Sequence, residues 1–277
     1  MPAPLCHARR GSLLAIGGAE RRHRRGGILK TFVDLAGGGR ARILLSTTAT
    51  ELPDAALASY LSLLGELGAA SVRELRIVRP ADADDERNLR ALRQATGVLF
   101  SGGDQSRFGV LVRSRAHELL RARLHQDALV VAGTSAGATA LGSTMVLGPG
   151  GPGPSTPRTG PGLGLVPDTI IDMHFTERRR LSRLVGAVCA HPGALGIGID
   201  EDTAILLRDR HFEVLGAGAV TVVDAEPASV VPPAEPDGPT TVLDMHLHVL
   251  GAGCAFDLEL RRPAAPNCHG ERRHDAH

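Results

Sequence analysis

Apolar residues fall in short blocks separated by glycine and polar clusters. Residues 12–16 (SLLAI), 42–46 (RILLS), 75–78 (LRIV), 97–100 (GVLF) and 129–132 (LVVA) each have the length of a buried strand. Longer segments between them carry helical spacing. Leu57, Leu61, Leu64 and Leu67 recur every three or four positions over 55–67, and Leu89 and Leu92 mark one face of the charged stretch 84–95. A helix is predicted over 108–124, and an alanine-rich one opens near Ala136. Short apolar strands alternating with helices predict an α/β fold whose mostly parallel central sheet is covered on both faces. The second half reads differently. VPDTIIDMHF, ALGIGIDEDTAILL, HFEVLGAGAVTVVD and TVLDMHLHVL are strand-rich and hairpin-like, so more antiparallel strands are expected there.

Residues 148–164 (GPGGPGPSTPRTGPGLG) can only be a loop. The plain reading is a tolerated surface insertion; the functional one is a flap beside an active site. No repeats are evident. The expected organisation is one α/β domain over residues 1–262, followed by a disordered tail over 263–277.

Composition narrows the function. The 277 residues carry a formal net charge of +1, so no global field points to nucleic acid or an anionic membrane. There is no tryptophan and one tyrosine, which removes the stacking platforms of single-strand binders. The positive charge is arginine throughout, apart from Lys30. Cys6, Cys189, Cys254 and Cys268 lie far apart with no CxxC pair, against a disulfide framework or a zinc site. The N-terminal apolar run is too brief for an export signal, and no stretch approaches a membrane span, so a cytoplasmic protein is expected. No cofactor and no metal are expected.

The chemistry concentrates where strands end in glycine. In VAGTSAG, residues 131–137 place Gly133, Ser135 and Gly137 in G-x-S-x-G spacing between a buried strand and a helix. Flanking glycines remove the clashes of so sharp a bend and leave the serine hydroxyl exposed at the strand end. The N–H of Ala136 is then placed to meet a developing oxyanion, with a second donor from the Gly102-Gly103 turn. The other reading of the motif is an ordinary glycine turn.

A serine nucleophile needs a base, and the base an orienting acid. Among twelve histidines, His7, His23, His269, His274 and His277 lie in polar or terminal segments. His246 and His248 share one strand face, two ligands short of a third for a metal. His174 ends an apolar strand and precedes a run holding Arg178, Arg179, Arg180 and Arg183, either a solvated helix face or a site for carboxylates. Asp200, Glu201 and Asp202 interrupt an apolar run. Strand alternation would send Glu201 opposite to its neighbours, which makes it the candidate acid.

GGAE (17–20), FSGGDQ (100–105), AGTSAGA (132–138), PGLGLVPDTIIDMHFTERRRLSRL (161–184) and GIGIDEDTAI (196–205), in this order, resemble the motifs of cyanophycinases, serine peptidases related to aspartyl dipeptidases. The resemblance covers roughly residues 12–260. It implies a three-layer α/β sandwich like that of class I glutamine amidotransferases, a homodimer, and hydrolysis of cyanophycin to β-aspartyl-arginine dipeptides. Cyanophycin is a poly-aspartate backbone carrying arginine on each β-carboxyl. By motif, Ser135 would be the nucleophile, His174 the base and Glu201 the orienting acid, with Gly103 and Ala136 as oxyanion donors. Gln105, Asp172, Arg178, Arg180 and Arg183 match positions lining the substrate pocket, Asp172 being suited to hold the substrate's guanidinium. The motif departs at Met173, where cyanophycinases typically carry glutamine. This bears on the linkage preferred and keeps isoaspartyl or α-aspartyl dipeptides in view as substrates. A non-catalytic binding protein on the same scaffold is the rival from another class.

Overall fold

The computed structural model describes residues 10–20, 27–150, 157–231 and 240–264. The first half alternates β1 (Ser12–Ile16), α1 (Ile28–Leu35), β2 (Arg42–Ser46), α2 (Pro53–Glu66), β3 (Ser71–Leu75), α3 (Pro80–Ala83), α4 (Glu86–Gln94), β4 (Gly97–Phe100), α5 (Arg115–Gln126), β5 (Val130–Thr134) and α6 (Ala136–Leu141). The second half is β6 (Gly142–Gly148), β7 (Arg158–Pro161), β8 (Val166–Met173), α7 (Leu181–Ala190), β9 (Leu195–Ile199), β10 (Thr203–Arg208), β11 (His211–Gly216) and β12 (Val220–Asp224). Five short strands complete it: β13 (Ser229–Val231), β14 (Thr241–Leu243), β15 (His246–Leu250), β16 (Ala255–Asp257) and β17 (Arg262–Ala264).

The large sheet runs β17-β16-β11-β10-β1-β5-β4-β2-β3. From β1 to β3 every pairing is parallel, whereas β10, β11, β16 and β17 extend the sheet antiparallel. A second sheet runs β15-β12-β9-β8-β6-β7, with β8 parallel to both β6 and β9. On one face of the large sheet, Leu14, Ile16, Leu45 and Ala132 pack against Phe32 of α1 and Tyr60 and Leu64 of α2. On the other, Leu13, Val98 and Val131 pack against α4, α5 and the inner face of the second sheet, at Ile171, Ile197 and Val222. The outer face of the second sheet is covered by Leu184 and Val188 of α7. Helices thus lie on both sides of a parallel core, with the antiparallel strands in the C-terminal half, as the apolar pattern predicts.

Several local expectations need correction. The third strand is Ser71–Leu75, ahead of the apolar 75–78, because it is a half-exposed edge strand that needs no continuous apolar run. The single helix expected over 108–124 is a 3-10 turn over Gln105–Val110 followed by α5. Arg113 at φ 63° breaks the run, and the Ser114 side chain caps α5 at the His117 amide. Strands β9 and β10 do not form a hairpin: they belong to different sheets, and residues 200–202 carry the chain across. The 148–164 segment is partly ordered as a β6–β7 pairing, while 151–156 lie outside the described residues. Pro263 and Ala264 belong to β17, so the paired chain extends past 262; the rest of the expected tail, residues 265–277, is outside the described residues, as are Cys6, Cys268, His7, His23, His269, His274 and His277.

Candidate active site

Strand β5 ends at Thr134, and the next residue, Ser135, takes φ 52°, ψ −117°, a conformation that non-glycine residues rarely adopt. Both neighbouring glycines are required. A Cβ on Gly133 would collide with the Gly137 carbonyl, and one on Gly137 with the carbonyl of Phe100. The bend leaves the Ser135 side chain at the C-terminal edge of the sheet, where functional groups of parallel sheets collect.

His174 follows β8 directly, is 8% exposed and also has positive φ, 48°. Its Nε2 lies 2.9 Å from Ser135 Oγ, and its Nδ1 lies 2.6 Å from Glu201 Oε1. An ionised carboxylate only accepts, so Nδ1 carries the hydrogen and Nε2 presents its lone pair to the serine hydroxyl. Glu201 sits in the crossing between the sheets. Its position is set by that turn and not by strand alternation, with its amide donating to Glu177 Oε1 at 3.1 Å. Of its neighbours, Asp200 turns inward and accepts from the amide and hydroxyl of Thr176 and the amide of Ala219, which pins the turn.

The tip of β1 gathers these segments. The amide of Ser135 donates to Ile16 O (3.0 Å), that of His174 to Gly17 O (2.9 Å), and that of Asp202, next to Glu201, to Gly18 O (2.9 Å). Three consecutive carbonyls therefore fix the segments carrying Ser135, His174 and Glu201 in register. Neither glycine can be replaced without a clash: a Cβ on Gly17 would run into Asp200 O, and one on Gly18, at φ 101°, into the His174 imidazole. The sequence shows this pair only as a strand ending in Gly-Gly; its role becomes visible once the distant partners are in place.

Two amides border the serine. Gly102 packs against the Ser135 side chain, and Gly103 follows at φ 140°, where a Cβ would collide with Ala49 O. Among the described residues, neither the Gly103 nor the Ala136 amide has an acceptor. Asp104 accepts from Ser106, whose hydroxyl and amide hold its carboxyl below the usual range, with Arg107 and Arg158 adding to the effect.

The arginine cluster departs from expectation in one respect. Asp172 is fully buried and accepts from Arg180 Nη1 (3.0 Å), Arg183 Nε (2.9 Å) and Arg183 Nη2. Its oxygens accept from the protein's own guanidiniums, so it organises the two arginines. Arg180 also donates to Met173 O at 2.7 Å and touches its sulfur. Burial pushes the Arg180 guanidinium below its usual range; Asp172 opposes this, while Arg183 and Arg178 add to it. Three cations thus share one neighbourhood around one carboxylate. Arg178 is exposed and, among the described residues, has no acidic partner; its amide donates to His174 O. Arg178 and Arg180 precede α7, so only Arg183 of the expected helical run is helical. Gln105 is half-buried, its amide nitrogen donating to Val146 O of β6 (2.6 Å).

Among the described residues, no group of three His, Cys, Asp or Glu side chains is placed to hold a metal ion, and no helix is long and apolar enough to cross a membrane.

The family model for peptidase family S51 matches residues 13–215. A cyanophycinase of Trichormus variabilis is 39% identical over 272 residues, covering 95% of this chain and 90% of that protein. One from Synechococcus elongatus is 40% identical over 225 residues, 79% of this chain and 70% of that protein. In fold, the chain is similar to a peptidase from an acI-B1 Actinobacterium, with a TM-score of 0.65 at 20% identity over 90% of this chain and 98% of that one. Since that family model spans Ser135, His174 and Glu201, and the likeness to cyanophycinases runs nearly end to end, this protein belongs to peptidase family S51.

Proposed function

We propose that this peptidase is a cyanophycinase-type serine exopeptidase, with Ser135 as nucleophile, His174 as general base and then acid, and Glu201 as the acid that orients the imidazole. The observation carrying this reading is the hydrogen-bond chain from Ser135 Oγ through His174 to Glu201. Ser135 Oγ attacks the scissile carbonyl as its proton passes to His174 Nε2. The tetrahedral oxyanion is received by the Gly103 and Ala136 amides, each contributing about 3 kcal/mol in comparable sites. His174 then gives the proton to the departing amine, leaving an ester on Ser135. Water activated by the same imidazole hydrolyses that ester and restores the hydroxyl.

The substrate reading rests on the cyanophycinase relatives and on charge. Arg178, Arg180 and Arg183 form a cationic cluster that one carboxylate does not neutralise, which suits an aspartyl polymer whose arginines carry free α-carboxylates. Gln105 is assigned to the same pocket, where the bond to Val146 O holds its amide in place and leaves its oxygen and second N–H for substrate. Incubation with cyanophycin and mass spectrometry of the products tests this: β-aspartyl-arginine is expected, and Ser135→Ala should release none. Met173 motivates a second reading, isoaspartyl or α-aspartyl dipeptides, because a thioether beside Arg180 lacks the directional hydrogen bonds of an amide. Comparison of β-Asp-X, Asp-X and polymer substrates separates the two. The reading also includes one hydrolytic domain, a cytoplasmic location and a homodimer, the last supported by Leu247 and Val249 exposed on the edge strand β15; sedimentation would test it.

A further inference from the structure

Glu20, the last residue of GGAE, is only 9% exposed. It makes no contact with the base or with the reacting serine. Its Oε2 accepts from Thr134 Oγ1 at 2.8 Å, and its Oε1 from Tyr60 OH of α2 at 3.3 Å. Among the described residues, no arginine, lysine or histidine pairs with it. A carboxylate this far from water needs hydrogen-bond donors, and the two that Glu20 has are hydroxyls. A carboxylate buried four residues past the end of β1 needs an account.

Its partner supplies one. Thr134 is the residue immediately before the nucleophile and is itself 3% exposed. Along β5 it shares the face of Val130 and Ala132, the face covered by α1 and α2, where Tyr60 lies. Ser135 leaves the strand at the far side of that peptide in a strained conformation, which persists only if the surrounding structure over-determines it. A threonine is stiff at χ1, so fixing its hydroxyl fixes the orientation of its backbone. The Thr134–Glu20 bond clamps one side of the bend, and Ile16 O, in register with Thr134, clamps the Ser135 amide.

We propose that Glu20 is a positioning residue for the nucleophile, acting through the Thr134 hydroxyl from behind the sheet. This rests on the reading of Ser135 as nucleophile. The full chain and its variants are compared in two measurements: the rate at which a fluorophosphonate labels Ser135, and kcat and KM on cyanophycin. Thr134→Val, which keeps shape and loses the hydroxyl, and Glu20→Ala are each expected to lower labelling and kcat by about tenfold to a hundredfold, with KM within about twofold. Thr134→Ser and Glu20→Gln, which keep a donor and an acceptor, should restore most of the loss. Glu20→Ala combined with Thr134→Val should lose no more than the worse single variant, since both break one bond. Thermal unfolding identifies folded variants; if Glu20→Ala does not fold, the contrast of Thr134→Val with Thr134→Ser decides. Unchanged labelling and kcat in Thr134→Val, or losses that multiply in the double variant, would overturn the role of Glu20. Full turnover by Ser135→Ala would instead overturn the serine reading itself.

Discussion

At the scale of single residues, the arrangement predicts graded losses. Ser135→Ala removes the nucleophile with little effect on packing, so turnover on cyanophycin should fall by about 10⁴-fold or more while the unfolding midpoint holds. Glu201→Gln keeps the shape but no longer enforces the Nδ1–H tautomer; a loss of roughly 10²- to 10⁴-fold in kcat is expected, because the Glu201 side chain is 38% exposed and water can serve in part. Asp172→Asn strips two half-buried guanidiniums of their shared counter-charge. A destabilisation of about 3 kcal/mol, read by denaturant titration, and a raised KM should accompany it. Ser135 was legible as a strained serine from the two glycines that flank it, Gly133 and Gly137, and His174 from its place at a strand end. Glu201 was reached by alternation along a strand, although it lies in a turn between sheets; only the pairing of β9 and β10 with different partners reveals that. The internal use of Asp172 could not be read either, since nothing local says that Arg180 and Arg183 fold back onto it.

Among the elements, His117 on α5 offers a test by pH. Its Nδ1 accepts from the Arg113 amide (3.1 Å) and its Nε2–H donates to Leu163 O (2.5 Å), so the folded protein needs the neutral ring. Burial lowers its pKa from 6.5, with the Leu163 bond opposing. Protons therefore bind more tightly to the unfolded chain. The contribution is complete above about pH 6.5 and is lost as the pH falls through the lower folded value. Unfolding midpoints compared between pH 8 and pH 5 should show a decline that His117→Gln flattens. The parallel strands were readable because strands buried on both faces are apolar throughout, and α4 showed its inward Leu89 and Leu92. Helix α1 and strand β6 were not foreseen: the first is eight residues long beside a glycine run, and the second begins where α6 stops, with no turn signal between.

For the whole molecule, the two large sheets share one core, and the proposed active site lies where the chain passes between them. Gly17 and Gly18 sit at that seam. Gly18→Ala should displace the imidazole, reducing kcat by about a hundredfold with a smaller change in KM, as measured on cyanophycin. What composition could not supply was this seam, which depends on contacts between residues 16–18, 174 and 200–202 that are far apart in sequence. The class of fold was legible because it follows from local periodicity; the division into two sheets was not, because it depends on strand partners.

The threefold anchoring on the β1 tip has a consequence for biosynthesis. Strand β1, made before the other described strands, is also the one on which the segment carrying Glu201 must settle, through Asp202 and the β10 pairing. A nascent chain halted before residue 195 would carry the serine and the imidazole yet lack the carboxylate and the strand that closes the seam, so the proposed serine, imidazole and carboxylate arrangement should assemble abruptly, only once β10 has emerged.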